Sequence, residues 1–109
     1  MTKNDGKDGK IEALLADLWQ RQLPLLQERL NLIDRAAAEA ATGTLSEALR
    51  TEALSVAHKL SGSLGMFGHH QGTDTARAIE QILNKPTPET LGHLDSLATR
   101  LREILQPHL

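Results

Sequence analysis

The chain has no cysteine, which removes disulfides, thiolate metal centres and a thiol nucleophile from consideration. Tyrosine is missing too, and apart from histidine the aromatic residues are one Trp and one Phe, too few for the platforms on which nucleic-acid bases stack. Charge of one sign is not in excess: 12 basic residues stand against 14 acidic ones, a net of −2, so the electrostatic footprint of a nucleic-acid binder is absent. No apolar run approaches the roughly 20 residues of a membrane span, and the N-terminus lacks the apolar segment of a secretory signal. The expectation is a soluble, cytoplasmic monomer. Its 109 residues make one domain, long enough to bury a core without staples.

What is present is helical periodicity. Residues 1–9 are polar, glycine-containing and aperiodic and read as a disordered tail, which leaves 10–109 as the domain. From Ile11 apolar residues recur at helical spacing through Leu14, Leu15, Leu18 and Trp19, then Leu26, Leu30, Ile33, Ala37 and Ala40, as far as Thr42. Pro24 interrupts this run, and a proline in a helix removes one hydrogen bond and clashes with the carbonyl four residues back. A kink there predicts an N-terminal half that caps one end of the molecule and buries Leu18 and Trp19.

Gly43 suits the residue that ends the first helix, and Thr44-Leu45-Ser46-Glu47 offers a capping box for a second, Leu45 to Phe67. GHHQG at 68–72 reads as a turn before a third helix, Thr73 to Asn84. Lys85-Pro86-Thr87-Pro88 is a loop in which Thr87 caps and Pro88 opens the last helix. Leu91, Leu94, Leu97, Leu101, Ile104 and Leu105 form that helix's stripe, and Pro107 stops it. With no strand alternation, the fold class is all-α: an antiparallel up-down-up-down four-helix bundle with short connections.

One histidine stands apart from this pattern. With His58 at zero on a wheel of about 100° per residue, Leu49, Ala53, Val56, Leu60, Leu64 and Phe67 fall within roughly 60° of the opposite pole. His58 therefore faces solvent, beside Ser61, Gly62 and Gly65 at i+3, i+4 and i+7. Glycine inside a helix costs about 1 kcal/mol relative to alanine, and the apolar pattern does not ask for it here. Two glycines beside the imidazole leave bare surface over which a second protein could bring its own reactive group. The alternative is that Gly62, Gly65 and Gly68 let a neighbouring helix approach or fray the helix end.

Imidazole is a nucleophile near neutrality, where its reference pKa of about 6.5 leaves it mostly unprotonated. A hydrolase would add a carboxylate partner and an oxyanion hole, yet i±3 and i±4 of His58 hold Leu54, Ser55, Ser61 and Gly62. No glycine loop of the phosphate-cradling type follows a strand either. The residues suit a group carrier rather than an enzyme.

Ala57-His58-Lys59-Leu60-Ser61-Gly62, followed by Ser63-Leu64-Gly65-Met66-Phe67-Gly68, resembles the phosphoacceptor motif of histidine-containing phosphotransfer (HPt) domains, His-x-Leu-Lys-Gly-x-x-x-x-x-Gly. The resemblance implies that His58 takes a phosphoryl group from the aspartate of a response-regulator receiver domain, including those of hybrid histidine kinases, and passes it to another receiver. It also implies no ATP site and no cofactor, the Mg²⁺ used in transfer being held by the receiver. One position departs: the family's lysine three residues after the histidine is Ser61 here. Lys59, with its long stem, or the Ser61 hydroxyl stands as the replacement. Leu54, roughly 40° from His58, either packs under the first helix or anchors the docked receiver.

His69 and His70 read as surface residues, no third ligand standing at metal spacing beside them, and His93 and His108 as solvated or capping residues. Two other functions share the pattern: an HPt-like interaction module without phosphotransfer, and a metal-binding helical bundle, which would take two or more histidines facing inward.

Overall fold

The computed structural model describes residues 3–109, with side chains from Gly9 onward. Five helices follow one another: α1 (Lys3–Ala41), α2 (Glu47–Met66), α3 (His70–Asn84), the single turn α4 (Pro88–Leu91) and α5 (Leu94–Leu105), closed by a 3₁₀ turn over Gln106–His108. Among the described residues there is no strand. Helices α1, α2, α3 and α5 each pack against two others in a ring, α1 on α2, α2 on α3, α3 on α5 and α5 on α1, which makes a four-helix bundle. Leu26, Leu30, Ile33, Leu49, Leu60, Leu64, Ile79, Leu83, Leu94, Leu101 and Leu105 fill its core.

Local chemistry sets the helix ends. Helix α1 stops where Gly43 takes φ +71°, with Thr44 N–H bonded to the Glu39 carbonyl and Gly43 N–H to that of Ala40. Helix α2 stops in the same way at Gly68, φ +80°, with His69 N–H on the Leu64 carbonyl and Gly68 N–H on Gly65. Both are Schellman endings, which satisfy the last carbonyls and favour glycine. The start of α2 is not the expected capping box at Thr44. Ser46 is the cap, its hydroxyl accepting from Leu49 N–H, while Thr44 turns back to the Glu39 carbonyl. Thr87 and Pro88 do open a helix, with a reciprocal Thr87–Thr90 box, but only for one turn; the chain restarts as α5 after Gly92 and His93. Helix α3 begins at His70, three residues before the expected Thr73, because Gly68 alone makes the reversal.

Helix α1 corrects the expected cap. It runs through Pro24 without a break, and 39 residues at about 1.5 Å each match the molecule's longest dimension of 58 Å. Trp19 and Leu26, on either side of the proline, are both buried on the bundle and hold the two halves on it. Leu18 is exposed, with Ile11, Leu14 and Leu15, so the N-terminal half extends beyond the bundle instead of folding over it. The end of the bundle is closed by an aromatic cluster. Trp19 meets Phe67 edge-on at 5.2 Å between ring centres and His69 at 4.6 Å, and its indole N–H donates to the His108 carbonyl at 2.8 Å.

In this cluster His69 lies 4.5 Å from the His108 ring. Burial, and then the His108 charge, hold its pKa below the usual imidazole value. The unfolded chain therefore takes up a proton that the native chain resists, and stability falls as pH drops below about 6.5 toward the lowered native value. Thermal melts at pH 7.5 and 5.5, followed by the fluorescence of the sole tryptophan, are expected to show a drop in Tm that His69→Phe reduces. An equal drop in the variant would place the sensitivity elsewhere.

Candidate functional site

Helices α2 and α3 approach each other along small side chains. Ala53, Ala57 and Ser61, spaced by four, are buried, and one turn further Gly65 lies beside Thr73, whose Oγ1 would be 3.5 Å from an added Cβ. Thr73 donates to the Ser61 carbonyl at 3.3 Å. This seam turns α2 away from the wheel's expectation: Ala57 and Ser61 are buried, while Val56 and Phe67, expected in the stripe, are half-buried. Ser61 is thus not a member of the exposed face. Its hydroxyl donates to the His58 carbonyl at 2.8 Å, which occupies its only proton.

His58 itself is where the sequence places it, on the solvent face, with 74% of its side chain exposed. The close α2–α3 seam gives it a partner that a search along its own helix could not find. Glu80 Oε2 of α3 lies 2.8 Å from His58 Nδ1, and the Glu80 side chain is 27% exposed. A carboxylate only accepts, so Nδ1–H is the donor in this contact, and in the neutral imidazole the lone pair then lies on Nε2. The sequence places Glu80 only on the flank of α3's apolar stripe, four residues after Ala76 and three before Leu83, both buried; its pairing with His58 comes from the packing of α2 on α3.

Grooves lie on both sides of the imidazole. One is lined by Ser61 and Gly62 of α2 with Arg77, Gln81 and Asn84 of α3. The other is lined by Leu54, Ser55 and Lys59 with Asn84; Leu54 is half-buried on the core there. An added Cβ at Gly62 would meet nothing within 4 Å, so that glycine borders open space. Arg77, which sequence reasoning did not single out, brings a second cation to the site, one turn before Glu80. Of the other histidines, His70 is exposed, and among the described residues no three His, Asp or Glu side chains gather as a metal would require.

The class that fold and site define is a helical bundle that presents an exposed imidazole, held by a carboxylate of the neighbouring helix, between two open grooves. Comparison with known proteins agrees with that class. The Hpt domain family model matches residues 12–106, and the chain belongs to that family. It is 29% identical over 94 residues to Protein RcaC of Microchaete diplosiphon, a match covering 84% of this chain and 14% of the relative; the chain spans about a seventh of that protein. No solved structure matches it. Hpt domains act in phosphorelay histidine phosphotransfer within two-component systems, alongside receiver domains, as phosphocarriers without an ATP site of their own. Among the described residues no helix is long and apolar enough to cross a membrane.

Proposed function

We propose that His58 is the phosphoacceptor, that it takes its phosphoryl group from a receiver aspartate, and that it delivers the group to a second receiver. The observation that carries this is the exposed imidazole whose Nδ1 is held by Glu80 while Nε2 is free. In the transfer the Nε2 lone pair forms a bond to phosphorus as the bond from phosphorus to the aspartyl oxygen breaks, and the aspartate departs as carboxylate. No proton leaves the ring. The imidazole becomes a phosphorylated imidazolium, and the Glu80 carboxylate lies against its positive charge, where fixed countercharge is most useful. Lys59 and Arg77, one in each groove, offset phosphoryl charge in place of the family's lysine. Gly62 leaves room for the receiver's loops and Leu54 gives them an apolar contact; Gly65 serves the α2–α3 seam. No cofactor resides in the chain, Mg²⁺ entering on the receiver's carboxylates. The short connections over 42–46 and 67–69 suit antiparallel neighbours and support the up-down reading of the bundle. The test is to mix the purified chain with receivers phosphorylated on aspartate and locate the group by mass spectrometry. Phosphorylation at His58 supports the assignment, and label on His69 or His70 overturns it.

Glu80 is a positioning residue in this scheme. Glu80→Ala is expected to slow phosphoryl uptake by about 10- to 100-fold, and Glu80→Gln by less, because the amide oxygen still accepts from Nδ1–H. Imidazole ¹⁵N shifts separate this role from a structural one. Wild type and Glu80→Gln should show the Nδ1-protonated tautomer and Glu80→Ala a mixture; identical spectra in all three would show that Glu80 does not set the tautomer.

A further inference from the structure

Five large apolar side chains of α1, Ile11, Leu14, Leu15, Leu18 and Leu25, are 37% to 58% exposed, and with Met66 they are the exposed large hydrophobics among the described residues. They are not an overflow of the core. With Trp19 at zero on a wheel of about 100° per residue, the bundle-facing residues Leu23, Leu26, Leu30, Ile33 and Ala37 lie within roughly 40° of it. The five exposed residues form a separate stripe, centred roughly 90° to one side. Ile11, Leu18 and Leu25 recur at the seven-residue interval by which one helix lies along another. Monomeric proteins rarely leave such a contiguous apolar surface to water.

The charges beside this stripe identify its occupant. Lys10, Asp17, Arg21 and Glu28 all fall within roughly 20° of the pole opposite Trp19, next to Leu14, and in that order their signs alternate. When two copies of a helix pair antiparallel about a two-fold axis, the same edge of each faces the other. With the axis at the level of residue 19, Lys10 meets Glu28 of the second copy, since each is nine residues from the axis. Asp17 likewise meets Arg21, each being two residues away. The same register places Leu25 of one copy between Ile11 and Leu14 of the other. It brings the two Leu18 side chains to about 3 Å of each other along the axis. Within one copy Asp17 and Arg21 already pair at 2.9 Å, so the contact gathers four alternating charges.

We infer that α1 is a self-association surface: two copies of this chain pair antiparallel through Ile11, Leu14, Leu18 and Leu25, with Asp17 and Arg21 setting the register. This departs from the monomer expected of the sequence and does not depend on the phosphotransfer reading. A contact between two helices of this length belongs to the small, reversible class of interfaces.

Sedimentation velocity of the full chain over a concentration series up to about 0.5 mM is expected to show a monomer–dimer equilibrium. Leu18→Glu, which sets two carboxylates against each other near the axis, should weaken it by at least about tenfold without loss of helical circular dichroism. Asp17→Arg and Arg21→Asp should each weaken it, and the double exchange should restore it, because the reversed pair is complementary again. The inference is overturned by a chain monomeric throughout, by dimers indifferent to Leu18→Glu, or by a double exchange no tighter than either single one. Binding of the monomer to phospholipid vesicles that Leu18→Glu abolishes would give the stripe to a lipid surface and overturn it as well.

Discussion

His58→Gln is expected to leave a folded bundle that takes up no phosphoryl group from any phosphorylated receiver. The side chain is 74% exposed and lies off the core, and glutamine can still donate a hydrogen bond toward Glu80. The change in stability should therefore stay within about 0.5 kcal/mol, which makes loss of transfer a loss of chemistry alone. The amide nitrogen of glutamine is conjugated to its carbonyl and has no free lone pair to form a bond to phosphorus, so the expected residual is zero rather than a reduced rate. Denaturant melts paired with radiolabel transfer check both halves. Undiminished labelling of the variant would remove His58 from the reaction, while a melted variant would show that its link to Glu80 holds α2 to α3.

Gly62→Gln is expected to abolish transfer by a different route. An added Cβ at this position meets nothing within 4 Å, and leaving glycine for a better helix former gains up to about 1 kcal/mol at an exposed site. The variant should therefore melt no lower than wild type. A long side chain one turn from the imidazole nevertheless stands where a receiver must approach. A displacement of about 1 Å in the reacting pair can cost about 100-fold in rate, so transfer and receiver affinity should fall together. Gly65 provides the contrast: a Cβ there sits at 3.5 Å from Thr73 Oγ1, an ordinary contact, so Gly65→Ala should be accommodated. Normal transfer by Gly62→Gln would return the glycine to the role of an incidental helix residue.

The two glycines show how far residue pattern alone reaches. On the wheel both flank His58 and both look like clearance; in the bundle one borders open solvent and the other the α3 seam. Ser61 is a sharper case. Its place at i+3 from His58 made it a candidate donor to the phosphoryl group, but the ladder Ala53, Ala57, Ser61 lets α3 come close enough to bury it. The same approach delivers Glu80 to Nδ1. A partner sought at i±3 and i±4 cannot lie on another helix, and the α2–α3 seam alone sets the Glu80–His58 distance.

Helix content, the glycine stops at Gly43 and Gly68, the Thr87-Pro88 start and the exposure of His58 were all determined by the sequence. Each depends on a period or on a residue's own backbone preference, and both act within a turn or two of chain. The tertiary structure decided which flank of α2 is buried, which carboxylate orients the imidazole, where Trp19 finds its partners, and that α1 continues past Pro24. Those outcomes follow from how closely neighbouring helices approach and how their rows of side chains interlock. That packing joins residues far apart in the chain, such as the Trp19 indole and the His108 carbonyl, and no local pattern encodes it.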